Sequence, residues 1–404
     1  MSLDLESLYI DLHQHPELSF QETRTAGVIA ARLAELGVEF EEGIGKTGVA
    51  AVVANGDGPV VWLRADMDAL PVPEQTGLDY ASTAHGTDPA GNDVPVMHAC
   101  GHDMHVTCLL GALERLLATR DEWSGTVVAV FQPAEEYGAG SKAMIADGVL
   151  DRFPRPDIVL GQHVTPLPAG MIGVRPGTQL VASDGLTVTL FGRGGHGSRP
   201  HSTIDPVVMA AATVMRLQTI VSREVDPWDV AVVTVGSIHA GLKNNIIPAE
   251  AKLELSLRYP DDEARERVLE KVERIVRAEA DASGAERAPA IVTDHVLPPT
   301  INDPDATARL VSAFERAFGE GSVVDPGMFT ASEDVSWFAR EPGVPLVFWF
   351  WGGADPAAYA VAEAAGTLEH DIPTNHSPFF APVIHPTLDR GVDALVTAAR
   401  EFLA

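Results

Sequence analysis

In the stretch His98-Ala-Cys100-Gly-His102-Asp103-Met104-His105, Cys100 and His102 stand two positions apart, just before an apolar helical pattern begins. In extended backbone, residues i and i+2 share a side, so a thiolate and an imidazole would face the same space. Together they suit zinc or another borderline-soft divalent ion. The same residues admit two other readings: a buried structural cysteine beside surface histidines, or a cysteine nucleophile activated by a histidine. A second stretch, Phe131-Gln132-Pro133-Ala134-Glu135-Glu136, puts adjacent carboxylates directly after the apolar run TVVAVFQ. In open α/β sheets, ligand and catalytic groups gather at the carboxyl ends of strands. Adjacent carboxylates diverge, so one can hold a cation while its neighbour faces a substrate, as metal-assisted hydrolysis requires.

Three weaker signals point the same way. Gly161-Gln162-His163 ends another apolar run, DIVLGQH, and Thr374-Asn375-His376-Ser377-Pro378 lies in a loop bounded by prolines. Arg64-Ala65-Asp66-Met67-Asp68-Ala69-Leu70-Pro71 follows a third run, with carboxylates able to orient ligand histidines. Elsewhere, His196 is flanked by Gly194, Gly195 and Gly197, which permit unusual backbone angles or the close approach of another chain. Arg258 ends the run AKLELSLRY. It is either a surface ion-pair partner or a guanidinium that grips a substrate carboxylate bidentately. Gly192-Arg193-Gly194-Gly195-His196-Gly197 matches a dinucleotide fingerprint in spacing only. The prolines of SRPHSTIDP follow where a helix must open, so nucleotide binding is rejected.

Strand and helix patterns alternate in the first half of the chain. Helical spacing runs over 3–13, 22–36 and 103–119, and β-rich runs occupy 49–54, 60–65, 126–132 and 157–163. Strands separated by helices predict a largely parallel sheet, and runs such as VVW and IVL are apolar on both faces, as buried parallel strands are. From 184 the order becomes β-α-β-β-α-β, the ferredoxin-like unit. Helix and strand signals then resume. The predicted architecture is an α/β catalytic, metal-binding domain, 1–183 plus 296–404, interrupted by an inserted α+β domain, 184–295. The row Phe348, Trp349, Phe350, Trp351 is expected to pack core and interface on alternate sides.

A chain of 404 residues exceeds one core, in keeping with two domains. Its 28 Lys+Arg against 57 Asp+Glu give a net charge of −29, which excludes a nucleic-acid groove and obliges an anionic substrate to find a local cation. No run approaches the ~18 apolar residues of a membrane span. The acidic start MSLDLESLYI lacks a secretory pattern, and two cysteines, Cys100 and Cys108, make no disulfide framework, so a cytoplasmic location is expected.

HQHPELSFQE (13–22), RADMDALP (64–71), HACGHDMH (98–105), FQPAEE (131–136), GGHGSRPH (194–201), the Asn245-Ile-Ile-Pro248 turn, Ser332-Glu-Asp334 and Asn375-His-Ser-Pro378 together resemble the aminoacylase/carboxypeptidase, M20-type, family of dinuclear metallohydrolases. The resemblance runs nearly end to end. It is strongest to the branch of hippurate hydrolase, indole-acetyl-amino-acid hydrolases and bacterial N-acyl-amino-acid amidohydrolases. It implies a di-zinc exopeptidase-like fold, a mixed, mostly parallel sheet with flanking helices. It also implies two divalent ions per subunit, Zn²⁺ first, with Mn²⁺, Co²⁺ or Ni²⁺ as alternatives. Cys100, His102, Glu136, His163 and His376 match the family's metal ligands, Glu135 its general base and Asp68 the acidic residue that orients a ligand. His196 matches a histidine offered to a partner subunit's site, while Asn245 and Arg258 match contacts to the substrate carboxylate. Asp66, Asp103, His105 and Glu333 receive no role. The implied reaction is hydrolysis of a small N-acyl-amino acid through a metal-bridged water, by a homodimer formed through the inserted, lid-like domain. A dipeptidase or carboxypeptidase with the same mechanism is the nearest alternative. More distant ones are a non-catalytic binding protein and a cysteine-nucleophile hydrolase.

Overall fold

A computed structural model describes residues 3–404. In chain order, a first group of elements holds the helices α1 (Leu5–Gln14), α2 (Thr23–Leu36), α3 (His102–Ala118) and α4 (Gly140–Ala146). Among them lie the strands β1 (Glu39–Ile44), β2 (Gly48–Asn55), β3 (Val60–Asp66), β4 (Gly125–Gln132) and β5 (Ile158–Pro168). Next come β6 (Ala182–Phe191), α5 (Pro206–Thr219), β7 (Val232–Ala240), β8 (Glu250–Tyr259), α6 (Asp262–Ala282) and β9 (Ala290–Leu297). The chain finishes with α7 (Pro304–Phe318), β10 (Leu346–Ala354) and α8 (Ile384–Phe402). These elements form two compact units. The first holds the chain up to Gln179 with Ile301–Gly327 and Asp334–Ala404, and the second holds Leu180–Thr300 with Met328–Glu333.

The first unit is built on an eight-stranded mixed sheet ordered β1-β2-β4-β3-β5-β10, followed by the short strands Ile172–Gly173 and Val323–Val324. Its four central strands, β4, β3, β5 and β10, run parallel. β1 and β2 add an antiparallel margin. The parallel strands are buried along nearly their whole length, and their uninterrupted apolar runs are the sequence correlate of helices on both faces. Helix α2 stops at Gly37, whose φ of 69° lets the Gly37 and Val38 amides close back on Ala34 and Leu33. The row Phe348–Trp351 is buried on both sides of β10. Trp349 meets Phe314 edge-on at 5.4 Å and donates its indole N–H to Gln162, while Trp351 donates to the Thr387 carbonyl. Fully burying each phenylalanine contributes about 2–3 kcal/mol, and the paired indole N–H groups avoid the cost of an unmet donor.

The second unit is a four-stranded antiparallel sheet ordered β7-β8-β6-β9, with α5 and α6 supplying its helices. Asp205 and Asp261 cap those helices by accepting from Val207 and Ala264 amides. On α6 the buried Val268, Val272, Ile275 and Val276 follow the i, i+4, i+7, i+8 spacing of one apolar stripe.

Candidate metal centre

Two strand ends, the middle of β5 (which runs on past the expected end at His163) and one helix start of the first unit meet at the candidate site. Past β3 lies Asp68, past β4 the Glu135-Glu136 pair, on β5 His163, and at the head of α3 Cys100 and His102. The helix can start there because Gly101, at φ 81°, occupies the left-handed region, and a Cβ on it would lie 2.4 Å from Val164 Cγ1. After β4 the chain turns through Ala134, also left-handed at φ 49° and fully buried, and re-enters helix at Gly140. A Cβ on Gly140 would sit 1.5 Å from the Pro133 carbonyl oxygen, so only glycine lets that turn close.

Cys100, His102 and Glu136 bring one donor atom each within 4.8 Å of one another, and so do Asp66, His102, His105 and His163. Cys100 Sγ lies 3.4 Å from His163 Nε2. His102 Nε2 lies 3.9 Å from Glu136 Oε1 and 4.0 Å from Glu135 Oε2. His376 Nε2 approaches the same Glu136 oxygen at 3.4 Å, and its backbone, at φ 71°, donates its amide N–H to the Ala99 carbonyl. Asn375 Nδ2 donates to the carbonyls of Cys100 and Val164, tying this late loop to both earlier segments. The donor set fits a divalent cation. His163 gives its Nδ1 proton to the Val164 carbonyl at 2.8 Å, which leaves the Nε2 lone pair toward Cys100. His102 Nε2 and Glu136 Oε1 are buried and make no hydrogen bond. In a protein interior such atoms call for a partner.

Asp68 organises this arrangement. Its carboxylate lies 3.3 Å from His102 Nδ1, accepts the Glu135 and Glu136 amides at 3.1 Å each, and accepts the Ser19 hydroxyl at 2.6 Å. His105 has both ring nitrogens committed: Nδ1 pairs with Asp66, and Nε2 accepts the Val164 amide at 3.0 Å. Asp66 in turn accepts Arg64 Nη1 at 2.7 Å. Arg64 also donates to Gln132 and Asp334, forming a fully buried charged lattice under the strand ends. The sequence reading left Asp66, Asp103 and His105 unassigned. The available signal was spacing, since His102 and His105 are i, i+3 on one helix and therefore share a face. Asp103 accepts from His13 of α1 at 2.7 Å, and His13 also reaches Glu74 at 3.2 Å.

Electrostatics separate these groups. Burial, reinforced by the charges of Glu136 and Glu135, pushes the Cys100 thiol well up. It is therefore a poor nucleophile by itself and ionises only beside a cation. Burial, with His105 beside it, holds His163 neutral and well below the usual histidine range. Burial also opposes charge on His102, yet Asp66, Asp68 and Glu136 raise it to about 10.

His196, Asn245 and Arg258 belong to the second unit. His196, on the short strand Gly195–His196, pairs with Ile246, and Gly197 donates its amide to the Asn245 carbonyl, so His196 and Asn245 share one ribbon. His196 Nδ1 accepts from Ser198, which leaves Nε2 as its outward nitrogen. Arg258 lies apart from that ribbon on β8, opposite Ser183 and Val232, half-buried and donating to Ser332 Oγ at 2.6 Å. Glu333 is a buried member of the Met328–Glu333 segment.

A mixed, mostly parallel α/β sheet that gathers thiol, imidazole and carboxylate donors around unbonded atoms offers a candidate metal site. The pattern of Peptidase family M20/M25/M40 matches residues 62–375, and the chain belongs to that family. It is similar to an N-acetyl-L-cysteine deacetylase of Bacillus subtilis, 39% identical over 84% of this chain and 78% of the relative. A thermostable carboxypeptidase of Saccharolobus solfataricus is 36% identical over 84% of each chain. Among solved structures, a Bacillus subtilis dinuclear metal binding peptidase of the M20 family superposes with a TM-score of 0.77, at 30% identity, covering 98% of both chains. The chain is thus a hydrolase of amide bonds, and none of its described helices is long and apolar enough to cross a membrane.

Proposed function

We propose that this protein is an aminoacylase, hydrolysing small N-acyl-amino acids to a carboxylic acid and a free amino acid. The observation that carries the reading is the meeting of Cys100, His102, His163, Glu136 and His376 beside a second carboxylate, Glu135, on the same turn. Similarity to an N-acetyl-L-cysteine deacetylase supports the substrate class. Cys100, His102, Glu136, His163 and His376 would hold two divalent ions, and the thiol favours Zn²⁺ over Mn²⁺, Co²⁺ or Ni²⁺. Bound there, such ions supply Lewis-acid polarisation and lower the pKa of water. Glu135 takes the proton from the attacking water and returns it to the departing amine, which leaves neutral. Asp68 keeps both glutamates and His102 in register through the contacts given above. Arg258 and Asn245 bind the substrate carboxylate, supplying the cation that a chain of net charge −29 must provide locally. His196 donates to the developing oxyanion, a contribution of several kcal/mol when preorganised, roughly 3–4 from one donor.

Residues 1–183 with 296–404 act as the catalytic domain and 184–295 as a lid through which two copies pair. Support comes from the second unit. Its strand β7 is a sheet edge with Ile238 exposed on it, and Val208 and Met215 of α5 and, outside these elements, Trp228, Leu242 and Ile246 are exposed elsewhere in the same unit. A fully active monomer would remove this part. Both cysteines are unpaired, which suits the reducing cytoplasm.

The relation to a carboxypeptidase favours a second reading, cleavage of a peptide's last bond by the same residues. One experiment separates them. The protein is stripped with chelator, each metal is restored in turn, and acetyl-, benzoyl- and long-chain acyl-amino acids are assayed beside dipeptides and longer peptides. Acyl-amino acids should be hydrolysed at least tenfold faster by kcat/KM, with activity lost on chelation. Preference for peptides would install the second reading. Activity that resists chelation but yields to thiol alkylation would overturn both.

A further inference from the structure

The connector between α1 and α2 carries the motif HPELSFQE, which the proposed chemistry leaves without a task. Glu22 stands at the N-cap position of α2, yet its side chain makes no capping bond. That work falls to Glu17, which accepts the Arg24 and Thr25 amides at 2.9 and 2.8 Å. The Glu22 carboxylate turns inward instead and is fully buried. Its Oε1 accepts the Ala134 amide at 2.8 Å and the Phe20 amide at 2.9 Å, and its Oε2 accepts the Thr47 hydroxyl at 2.6 Å. Ala134, at φ 49°, and Phe20, at φ 61°, both occupy the left-handed region. Residues with side chains persist there only where the surroundings hold them. Ala134 is the residue that turns the chain from β4 into Glu135-Glu136. From the same connector, Ser19 donates to Asp68, the acceptor of the next two amides.

Three consecutive amides of the Ala134-Glu135-Glu136 turn therefore end on two buried carboxylates, and one of these comes from a segment far away in sequence. We infer that Glu22 is a positioning residue. By accepting the Ala134 amide it holds the left-handed turn that brings Glu135 and Glu136 to His102. Its oxygen atoms, rather than its charge, do this, so an isosteric amide should serve. The inference rests on the roles proposed for Glu135 and Glu136.

The test compares Glu22→Gln, Glu22→Ala and the double variant Glu22→Ala with Ala134→Gly. Readouts are kcat and KM on an acyl-amino acid, the affinity of chelator-stripped protein for Co²⁺ followed by visible absorption, and the thermal midpoint. Glu22→Gln should stay within about threefold of the parent. Glu22→Ala should lose about 10- to 100-fold in kcat and in cobalt affinity, as supporting residues of metal ligands do, with KM within about twofold. Adding Ala134→Gly should recover at least part of both, because glycine adopts positive φ without outside help. Parental kcat and cobalt affinity in Glu22→Ala would overturn the inference. So would equal losses in the Gln and Ala variants, or a lowered midpoint with cobalt affinity and kcat unchanged. Should Glu22→Ala fail to fold, the double variant decides, recovery of folding and cobalt affinity supporting the inference and its absence overturning it. A parent inactive on every acyl-amino acid would sink the aminoacylase reading alone, since the cobalt titration still reports on Glu22.

Discussion

Glu135 and Glu136 are neighbours with identical side chains, and their surroundings divide them. Glu136 Oε1 lies 3.9 Å from His102 Nε2 and also meets His376 Nε2 at 3.4 Å, while Glu135 Oε2 lies 4.0 Å from the same His102 atom. If Glu135 moves the proton, Glu135→Gln should lower kcat by about 10²- to 10⁴-fold, the usual worth of a general base. Bound metal, measured by elemental analysis, should stay at the parental level. A loss of metal equal to the loss of rate would make Glu135 a ligand instead. Residue types alone made Cys100, His102 and the glutamate pair visible, because few other side chains hold cations. They could not reveal that His105, in the same motif, spends both nitrogens inward. That depends on Asp66 and Val164 arriving from other strands.

Elements rather than residues decide how the site is braced. Helix α1 contributes His13, which bridges Asp103 on α3 and Glu74 in the segment after β3. Burial opposes its charge, but hydrogen bonds to Asp103 and Glu74 raise it to about 10. In the unfolded chain the group titrates near 6.5, so its stabilising contribution is complete below that pH and fades as pH climbs through about 10. Replacing His13 with Gln removes the cation shared by two carboxylates that keep only neutral donors such as the Met104 and Ser82 amides, a cost of about 3–5 kcal/mol near pH 6. The urea midpoints of parent and variant should therefore differ most near pH 6 and converge toward about pH 10. A gap independent of pH would show that His13 is neutral in the fold. The strands and helices themselves were legible as periodicity, and the four central strands run parallel as their double-sided apolar runs suggest. The antiparallel pairing of β2 was not, since an apolar run reads the same whichever way its neighbours point.

The whole molecule carries a net charge of −29, and the substrate class proposed for it is itself anionic. Long-range repulsion should slow encounter, and salt should relieve it by shortening the Debye length from about 30 Å at 0.01 M to about 8 Å at 0.15 M. kcat/KM for an N-acyl-amino acid should rise over that range, while that for its uncharged amide derivative stays level. A fall with added salt would mean that local cations such as Arg258 dominate the approach of substrate.

Composition, spacing and strand patterning were enough to determine the α/β class, the β-α-β-β-α-β segment and the set of side chains able to bind a cation, since each is a local property of the chain. Which donor atoms point at one another was decided only in three dimensions. Cys100 and His376 are separated by most of the sequence, and they share a neighbourhood because the His376 amide and the Asn375 side chain donate to the Ala99 and Cys100 carbonyls. Left-handed turns at Ala134 and His376, held by distant acceptors, then aim the last atoms. No reading of neighbours in sequence contains those acceptors, because the hydrogen bonds that set the turns join residues more than a hundred positions apart.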